Sequence, residues 1–344
     1  MSIPMPVRRL GSTDLEISVV GLGAWAIGGA DWRYGLGPQD DEVSISTIHA
    51  AVESGINWVD TAASYGFGHS EEVVGRAVRR LPRADRPYLF TKCGVQWTEE
   101  SRDEEPRRIL RPDTIGAEVR RSLARLQAER IDLYQVHWPP TEEEVPLEES
   151  WDALAELVDQ GLVRAIGVSN FSSDQMTRCQ GVRQIDSMQP PLSLIHRGAA
   201  DGLIPFAGEI GSGVIIYSPL QTGLLTDRWS LDRVESLPAG DRRRWHEDFL
   251  SPNLERNLAL RDRLRPVAAR LGTSVAAVAI AWTLAWPNVT AAIHGARNTS
   301  QLEVGIAAAG IRLTLQDLDE IAVAIEQTGA GEGPVRPLLG QRLS

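Results

Sequence analysis

The sequence predicts a single (β/α)8 TIM barrel, and three observations carry that prediction. Eight short apolar runs of strand character alternate with segments of helical periodicity along almost the whole chain. Those runs are apolar on both faces, as in a parallel sheet covered by helices. The length of 344 residues suits one large α/β barrel, for which about 250 residues is typical before insertions. No low-complexity linker or compositional break divides the chain, so residues 1–344 read as one domain, with a core at about 7–327 and a flexible tail at 328–344.

Taken in order, the chain opens with an N-terminal β-hairpin, VRRL and LEIS, turning at Gly11–Asp14. The first barrel strand is VVGLG (19–23), and the helix EVSISTIHAAVESG (42–55) follows it and stops on a glycine. NWVD (57–60) is the second strand. SEEVVGRAVRRL (70–81) is the next helix, with Ser70 expected as its N-cap and acids in its first turn. Then come strand YLFT (88–91), helix 111–126, strand IDLYQVH (131–137), helix 147–161, strand AIGVS (165–169), helix 172–179, strand IDSMQ (185–189), helix 203–211 and strand GVIIYS (213–218). The irregular stretch 220–256 is too long for a simple connection and reads as a lid or binding loop. An extra helix at about 254–270 precedes the seventh barrel helix (273–285); the strand VTAAI (289–293) and helix 299–309 close the repeat, and 315–327 forms a C-terminal packing helix.

Composition narrows the function. The net charge of −11 argues against nucleic-acid or anionic-membrane binding, so an anionic ligand would need a local basic site. The opening MSIPMPVRRLG has no apolar core, no window reaches the roughly 18 apolar residues of a membrane span, and Cys93 and Cys179 stand apart; together these lead us to expect a cytoplasmic protein. The six histidines form no metal-type pair, and no metal is expected. GLGAWA (21–26) matches a dinucleotide fingerprint formally, but the following IGGADWRYGLGP does not form the helix that fingerprint requires. It reads as a strand end entering a loop.

In such a barrel the chemistry sits at the C-terminal ends of the strands. Asp60 ends the second strand, with Tyr65 just beyond; Lys92 ends the third and His137 the fourth. Singly, each has an ordinary structural explanation. Jointly they make a site that can protonate an oxygen gaining negative charge: an ammonium stabilises a phenolate, a carboxylate holds the ammonium, and an imidazole donates to a carbonyl oxygen.

The motifs NWVDTAASYGFGHSEEVVG, LFTKCG, IDLYQVHW, GLVRAIGVSNFS, YSPLQTGLLT and IHGARNTSQLE resemble those of the aldo-keto reductase family over about residues 7–327. The nearest likeness is to the bacterial branch of sugar- and polyol-type reductases. The resemblance implies NADP(H)-dependent reduction of an aldehyde or ketone, with Tyr65 as general acid, Lys92 lowering its pKa, Asp60 holding Lys92 and His137 orienting the carbonyl. It further implies that Ser169, Asn170 and Gln189 hold the nicotinamide carboxamide and Tyr217 stacks on its ring. Ser218, Leu220 and Gly223 would line the pyrophosphate channel. Gly295, Ala296, Arg297, Thr299 and Gln301 would take the adenosine phosphate end, and a helix start capped by Thr299 or Ser300 beside an arginine suits a phosphate. Trp25, Trp32, Trp97 and Trp138, all in βα loops, are the expected walls of the substrate pocket.

Three positions depart from the family pattern: Gly305 where an asparagine meets the adenine, Asn298 where a second basic residue is common, and Leu192 where an aromatic is common. The first two leave NAD(H) as an alternative cofactor. The competing functions are an NAD(P)-dependent sugar or polyol dehydrogenase using the same residues, and a cofactor-binding regulatory subunit of the potassium-channel type.

Overall fold

The computed structural model describes residues 4–30, 32–97, 102–141, 144–238 and 241–337. A hairpin, β1 (Val7–Arg9) and β2 (Glu16–Ser18), precedes the barrel. The chain continues through β3 (Val20–Gly23), α1 (Asp41–Glu53), β4 (Trp58–Asp60), α2 (His69–Arg79) and β5 (Tyr88–Cys93). A small antiparallel pair, β6 (Val95–Gln96) and β7 (Arg107–Arg108), leads into α3 (Pro112–Leu126), β8 (Ile131–Val136), α4 (Leu147–Asp159), β9 (Val163–Ser169) and α5 (Ser173–Gln180). The chain then forms β10 (Ser187–Gln189), α6 (Leu203–Glu209), β11 (Gly213–Ile216), α7 (Leu231–Glu235), α8 (Asn253–Arg263), α9 (Arg265–Arg270), α10 (Val275–Leu284), β12 (Val289–Gly295), α11 (Thr299–Gly310) and α12 (Leu315–Thr328).

Strands β3, β4, β5, β8, β9, β10, β11 and β12 close into an eight-stranded barrel, every neighbouring pair parallel. The eight predicted strands are these eight. The hairpin seals the N-terminal end: Leu10, Leu15 and Ile17 join Trp58, Phe90, Leu133, Ile215 and Ile293 in an apolar plug inside the barrel. Trp58 fits because Gly21 on the adjacent strand has no side chain; a Cβ there would lie 2.1 Å from the indole. That end is closed by packing, and the C-terminal ends of the strands form the opposite mouth. A larger apolar shell lies between the strands and the helices, and α10, apolar on every side, is buried along its whole length. Among the described residues no single helix is long and apolar enough to cross a membrane.

Several local expectations need correction. Helix α2 begins at His69 after a left-handed Gly68; Ser70 does not cap it, and its hydroxyl instead donates to the Ala24 carbonyl at 2.8 Å. Asn298, not Thr299 or Ser300, caps α11, accepting from the Gln301 amide at 3.1 Å. The extra helix is two helices, α8 and α9, meeting at Leu264, with Pro266 at the start of the second. The tail is not loose as far as it is described. Glu332 pairs by backbone with Ile195 and Arg197, and the buried Arg197 side chain donates to the carbonyls of Ala330 (3.1 Å) and Gly333 (3.2 Å). Residues 338–344 of that tail lie outside the described residues.

Candidate active site

Parallel register pairs Asp60 with Phe90, so Lys92 stands two residues further along the adjacent strand at the barrel mouth. Asp60 and Lys92 are almost fully buried, at 3 % and 1 % exposure. The Lys92 ammonium donates to Asp60 Oδ2 at 2.5 Å and to the Thr61 carbonyl at 2.8 Å. The other carboxylate oxygen of Asp60 accepts from Gln189 Nε2 at 3.0 Å. Lys92 is the only lysine in the sequence. Tyr65 is delivered by a tight turn, Tyr65–Gly68, seated on a second turn, Trp25–Gly28, into which the GLGAWA strand end runs. The two turns touch because Gly28 and Gly66 lack side chains: Gly66 has φ +58°, and a Cβ there would stand 2.2 Å from the Gly28 oxygen. Lys92 Nζ lies 5.2 Å from the Tyr65 ring centre, and the His137 ring lies 5.6 Å from it, edge-on. The four predicted residues are thus brought together. Ser64 Oγ adds a contact to His137 Nδ1 at 3.3 Å.

The electrostatics differ from expectation in one respect. Burial, reinforced by the Asp60 carboxylate, pushes the Tyr65 phenol well above its ordinary value rather than below it. Burial lowers the Lys92 pKa, and Asp60 opposes that shift. Burial, with Lys92 and Arg108 nearby, holds His137 well below the usual imidazole range. At neutral pH the site therefore presents a protonated phenol and a neutral imidazole. Lys92 acts on the phenolate only as that charge forms.

Two of the four predicted tryptophans lie against this centre. Trp32 packs 6.2 Å from Tyr65 and edge-on to Trp97 at 5.6 Å, with Tyr34 and Phe67 completing an aromatic wall that sequence reasoning missed. Trp25 and Trp138 do not join that cluster; each lies under an arginine, Arg242 and Arg108 respectively. Leu192 is fully buried, and its amide donates to the Tyr217 carbonyl at 3.2 Å, so it backs Tyr217 rather than facing a pocket.

Along the mouth, Ser169, Asn170, Gln189 and Tyr217 form one network. Tyr217 OH donates to Asn170 Oδ1 (2.8 Å), and Asn170 Nδ2 donates to Ser169 Oγ (3.0 Å) and the His137 carbonyl (2.9 Å). Ser169 Oγ donates to the Gln189 carbonyl at 2.8 Å. The run after β11 winds through positive φ at Ser218, Gln221, Thr222 and Gly223, beside Leu220. At the far end Gly295 and Ala296 lead to Arg297, whose amide donates to Gln301 Oε1 at 2.9 Å. The Arg297 guanidinium donates to Gln39 Oε1 (2.9 Å) and to the carbonyls of Leu36 and Pro38, while Thr299 is exposed at the helix start. The groove fits an elongated anionic cofactor on two counts. Thr222 Oγ1 is buried with no hydrogen-bond partner. Burial lowers the Arg297 pKa, and so do the neighbouring charges of Arg243 and Arg228, leaving a concentration of positive charge. Gly305 has its own reason: a Cβ there would lie 2.7 Å from the buried His294 ring.

The long connection is fastened to the barrel at Asp248. Its buried carboxylate accepts from His196 Nε2 (3.0 Å) and Gln221 Nε2 (2.7 Å), with His246 Nδ1 at 3.4 Å. His196, Glu247 and Asp248 present ligand atoms within 4.8 Å of one another, a grouping that no sequence spacing announced. A separate groove of about 640 Å³, bordered by Asp41, His69, Glu72 and Arg125, lies on the outer helices away from the mouth, and His69 there pairs with Asp41 at 2.9 Å.

The model of the aldo/keto reductase family matches residues 19–326. The chain is 38 % identical to Aldo-keto reductase YhdN of Bacillus subtilis, covering 94 % of this chain and 95 % of that one. It is 34 % identical to the NADH-specific methylglyoxal reductase of Escherichia coli, covering 92 % and 98 %. Among solved structures, the glycerol dehydrogenase AKR11B4 from Gluconobacter oxydans superposes with a TM-score of 0.85 at 36 % identity, covering 96 % and 98 %.

Proposed function

The chain belongs to the aldo/keto reductase family, and from that premise we propose that it reduces an aldehyde or ketone to an alcohol with NADPH, in the cytoplasm. The observation that carries this reading is the buried Lys92–Asp60 pair at 2.5 Å, with its ammonium 5.2 Å from the Tyr65 ring and the neutral His137 across it. His137 donates an N–H to the carbonyl oxygen and fixes its direction. Tyr65 gives its proton to that oxygen as negative charge develops there. Lys92 stabilises the phenolate left behind, and Asp60 keeps Lys92 charged and aimed. Trp32 and Trp97 exclude water from one side of the reacting carbon; Trp25 and Trp138 wall the outer pocket.

The cofactor supplies the hydride when bound. Gln189 spends its side-chain nitrogen on Asp60, so its oxygen is the atom that accepts from the carboxamide, together with Ser169 and the second lone pair of Asn170. Tyr217 presents its ring to the nicotinamide. Ser218, Leu220 and Gly223 line the pyrophosphate channel, to which the unpartnered Thr222 hydroxyl adds a donor. Gly295, Ala296, Arg297, Thr299 and Gln301 hold the adenosine phosphate end. The preference for NADPH rests on Arg297 with Arg228 nearby; a relative named as NADH-specific makes NADH the competitor to measure.

NADPH consumption with a generic activated aldehyde, wild type beside Tyr65→Phe and repeated with NADH, tests the reading. We expect turnover to fall at least about 1,000-fold in Tyr65→Phe, with cofactor binding retained. Near-normal turnover in that variant sinks the assignment. The likeness to a glycerol dehydrogenase favours a second reading, oxidation of a polyol through the same four residues, with Tyr65 as the phenolate taking the hydroxyl proton and His137 holding that oxygen. Rates with oxidised cofactor and glycerol, set against aldehyde reduction, separate the two.

A further inference from the structure

The chain carries more acids than bases, and several of its arginines are paired with carboxylates where they stand. Arg33 pairs with Glu105 at 3.0 Å, Arg111 with Asp113 and Glu144, and Arg243 with Asp241 at 2.5 Å. Two arginines beside His137 and the aromatic cluster have no such partner among the described residues. Arg108, at the end of β7, lays its guanidinium 4.4 Å from the centre of the Trp138 ring, and its charge acts on His137. Among the described residues no carboxylate pairs with it and it makes no side-chain hydrogen bond. Its backbone is held, with the amide of Thr141 donating to its carbonyl at 3.3 Å and its Cα opposite Val95. Arg242, from the long connection, sits 5.2 Å from Trp25 and 5.6 Å from Tyr34. Its neighbour Asp241 is already engaged by Arg243.

A guanidinium held by a ring contact alone keeps its N–H groups unspent, and such a fork takes a carboxylate or phosphate through two hydrogen bonds. The two arginines stand at different distances from the reacting centre. Arg108 stands on the His137 side. Arg242 stands behind the aromatic wall that runs from Tyr34 through Trp32 to Tyr65, each step 6.2 Å between ring centres. A positive mouth on an acidic protein also draws anions in from solution.

We propose that the substrate is an anionic carbonyl compound, bearing a carboxylate or phosphate a few carbons from its C=O, and that Arg108 binds that group. This rests on the reductase reading above and goes beyond it in naming the substrate class. Asp60, Lys92, Tyr65 and His137 act on the carbonyl; Arg108 decides which carbonyl compound is held there.

The test is a selectivity ratio measured on one protein sample at a time, so that any loss of folded protein cancels. The kcat/KM for succinic semialdehyde is divided by that for butanal, and the kcat/KM for glyceraldehyde 3-phosphate by that for glyceraldehyde. We expect at least one ratio to exceed about 10 in the wild type and to fall about 10-fold or more in Arg108→Gln, mainly through KM. Arg108→Lys should recover part of it, and Arg242→Gln should lower it less. The first ratio reports a carboxylate substrate, the second a phosphate. Ratios near one in the wild type, or unchanged in Arg108→Gln, overturn the inference while leaving the reductase reading intact. If wild type reduces neither the charged nor the neutral aldehydes, the reductase reading falls instead. Binding of succinate and of inorganic phosphate, followed by tryptophan fluorescence, then decides the arginine site: at least one anion weakened in Arg108→Gln supports it, and neither weakened refutes it.

Discussion

Replacing Lys92 by methionine removes a buried charge while keeping most of the side-chain volume. In the wild type the ammonium is fully enclosed and bonded to Asp60 at 2.5 Å and to the Thr61 carbonyl at 2.8 Å. In Lys92→Met the Asp60 carboxylate keeps only the Gln189 amide at 3.0 Å. Removing one partner of a buried pair leaves an uncompensated charge, a loss of about 3–5 kcal/mol. The double variant Lys92→Met/Asp60→Asn removes both charges, and should recover about 2–4 kcal/mol relative to the sum of the singles, the coupling expected of residues in contact. Urea unfolding at pH 7 of wild type, both singles and the double measures that cycle. Turnover gives an independent axis, because Lys92→Met and the double variant both lack the group that stabilises the phenolate and should fall about 100- to 10,000-fold. Stability returns in the double variant while activity does not. Additive stability losses, with no recovery in the double, would refute the buried-pair argument.

Other outcomes follow from the same geometry. His137 and His294 both titrate below the usual imidazole value because they are buried; below pH 6.5 the unfolded chain takes up protons that the folded one refuses, so stability falls on acidification, and His137→Asn should flatten that slope by up to about 1.4 kcal/mol per pH unit. Gly305→Asn introduces the residue that the family resemblance favours, but its Cβ meets His294 at 2.7 Å; a loss of about 1–3 kcal/mol in thermal or urea denaturation is expected, and a neutral effect would show that the ring moves freely. Asp248→Asn weakens the anchor of the long connection to His196 and Gln221; limited proteolysis within 220–250 should accelerate, with a cost of about 1–3 kcal/mol. Since Asp248 raises the His196 pKa, that anchor is present below pH 6.5 and is lost as the pH climbs through the raised value, a dependence the variant should lack.

What the sequence made legible was whatever repeats or sits at a fixed place in a repeat. The eight strands follow from βα alternation. Asp60, Lys92 and His137 follow from lying at strand ends, and Tyr65 from the turn beyond one. What stayed hidden depends on contacts between distant segments. Asn298, Thr299 and Ser300 are three consecutive good caps, and only the path of the chain into α11 selects the first. Nothing in the sequence singles out Arg108; the β6–β7 pairing sets it against Trp138. Asp248 and His196 are 52 residues apart, with no spacing rule to join them. The GPVRP tail carries the composition of a loose end, yet its backbone meets the buried Arg197.

The solitary lysine has a consequence outside catalysis. Every other permanently basic side chain is an arginine, which does not react as an amine near neutrality. The one lysine amine is sealed at the base of the cleft, so an amine-directed label reaches it only when the mouth opens. Mass spectrometry of the Lys92 peptide after timed acylation therefore counts opening events at one position, against a background with no other lysine. Cofactor that seats over the mouth would slow that clock, and the slowing would measure how tightly it holds the site shut.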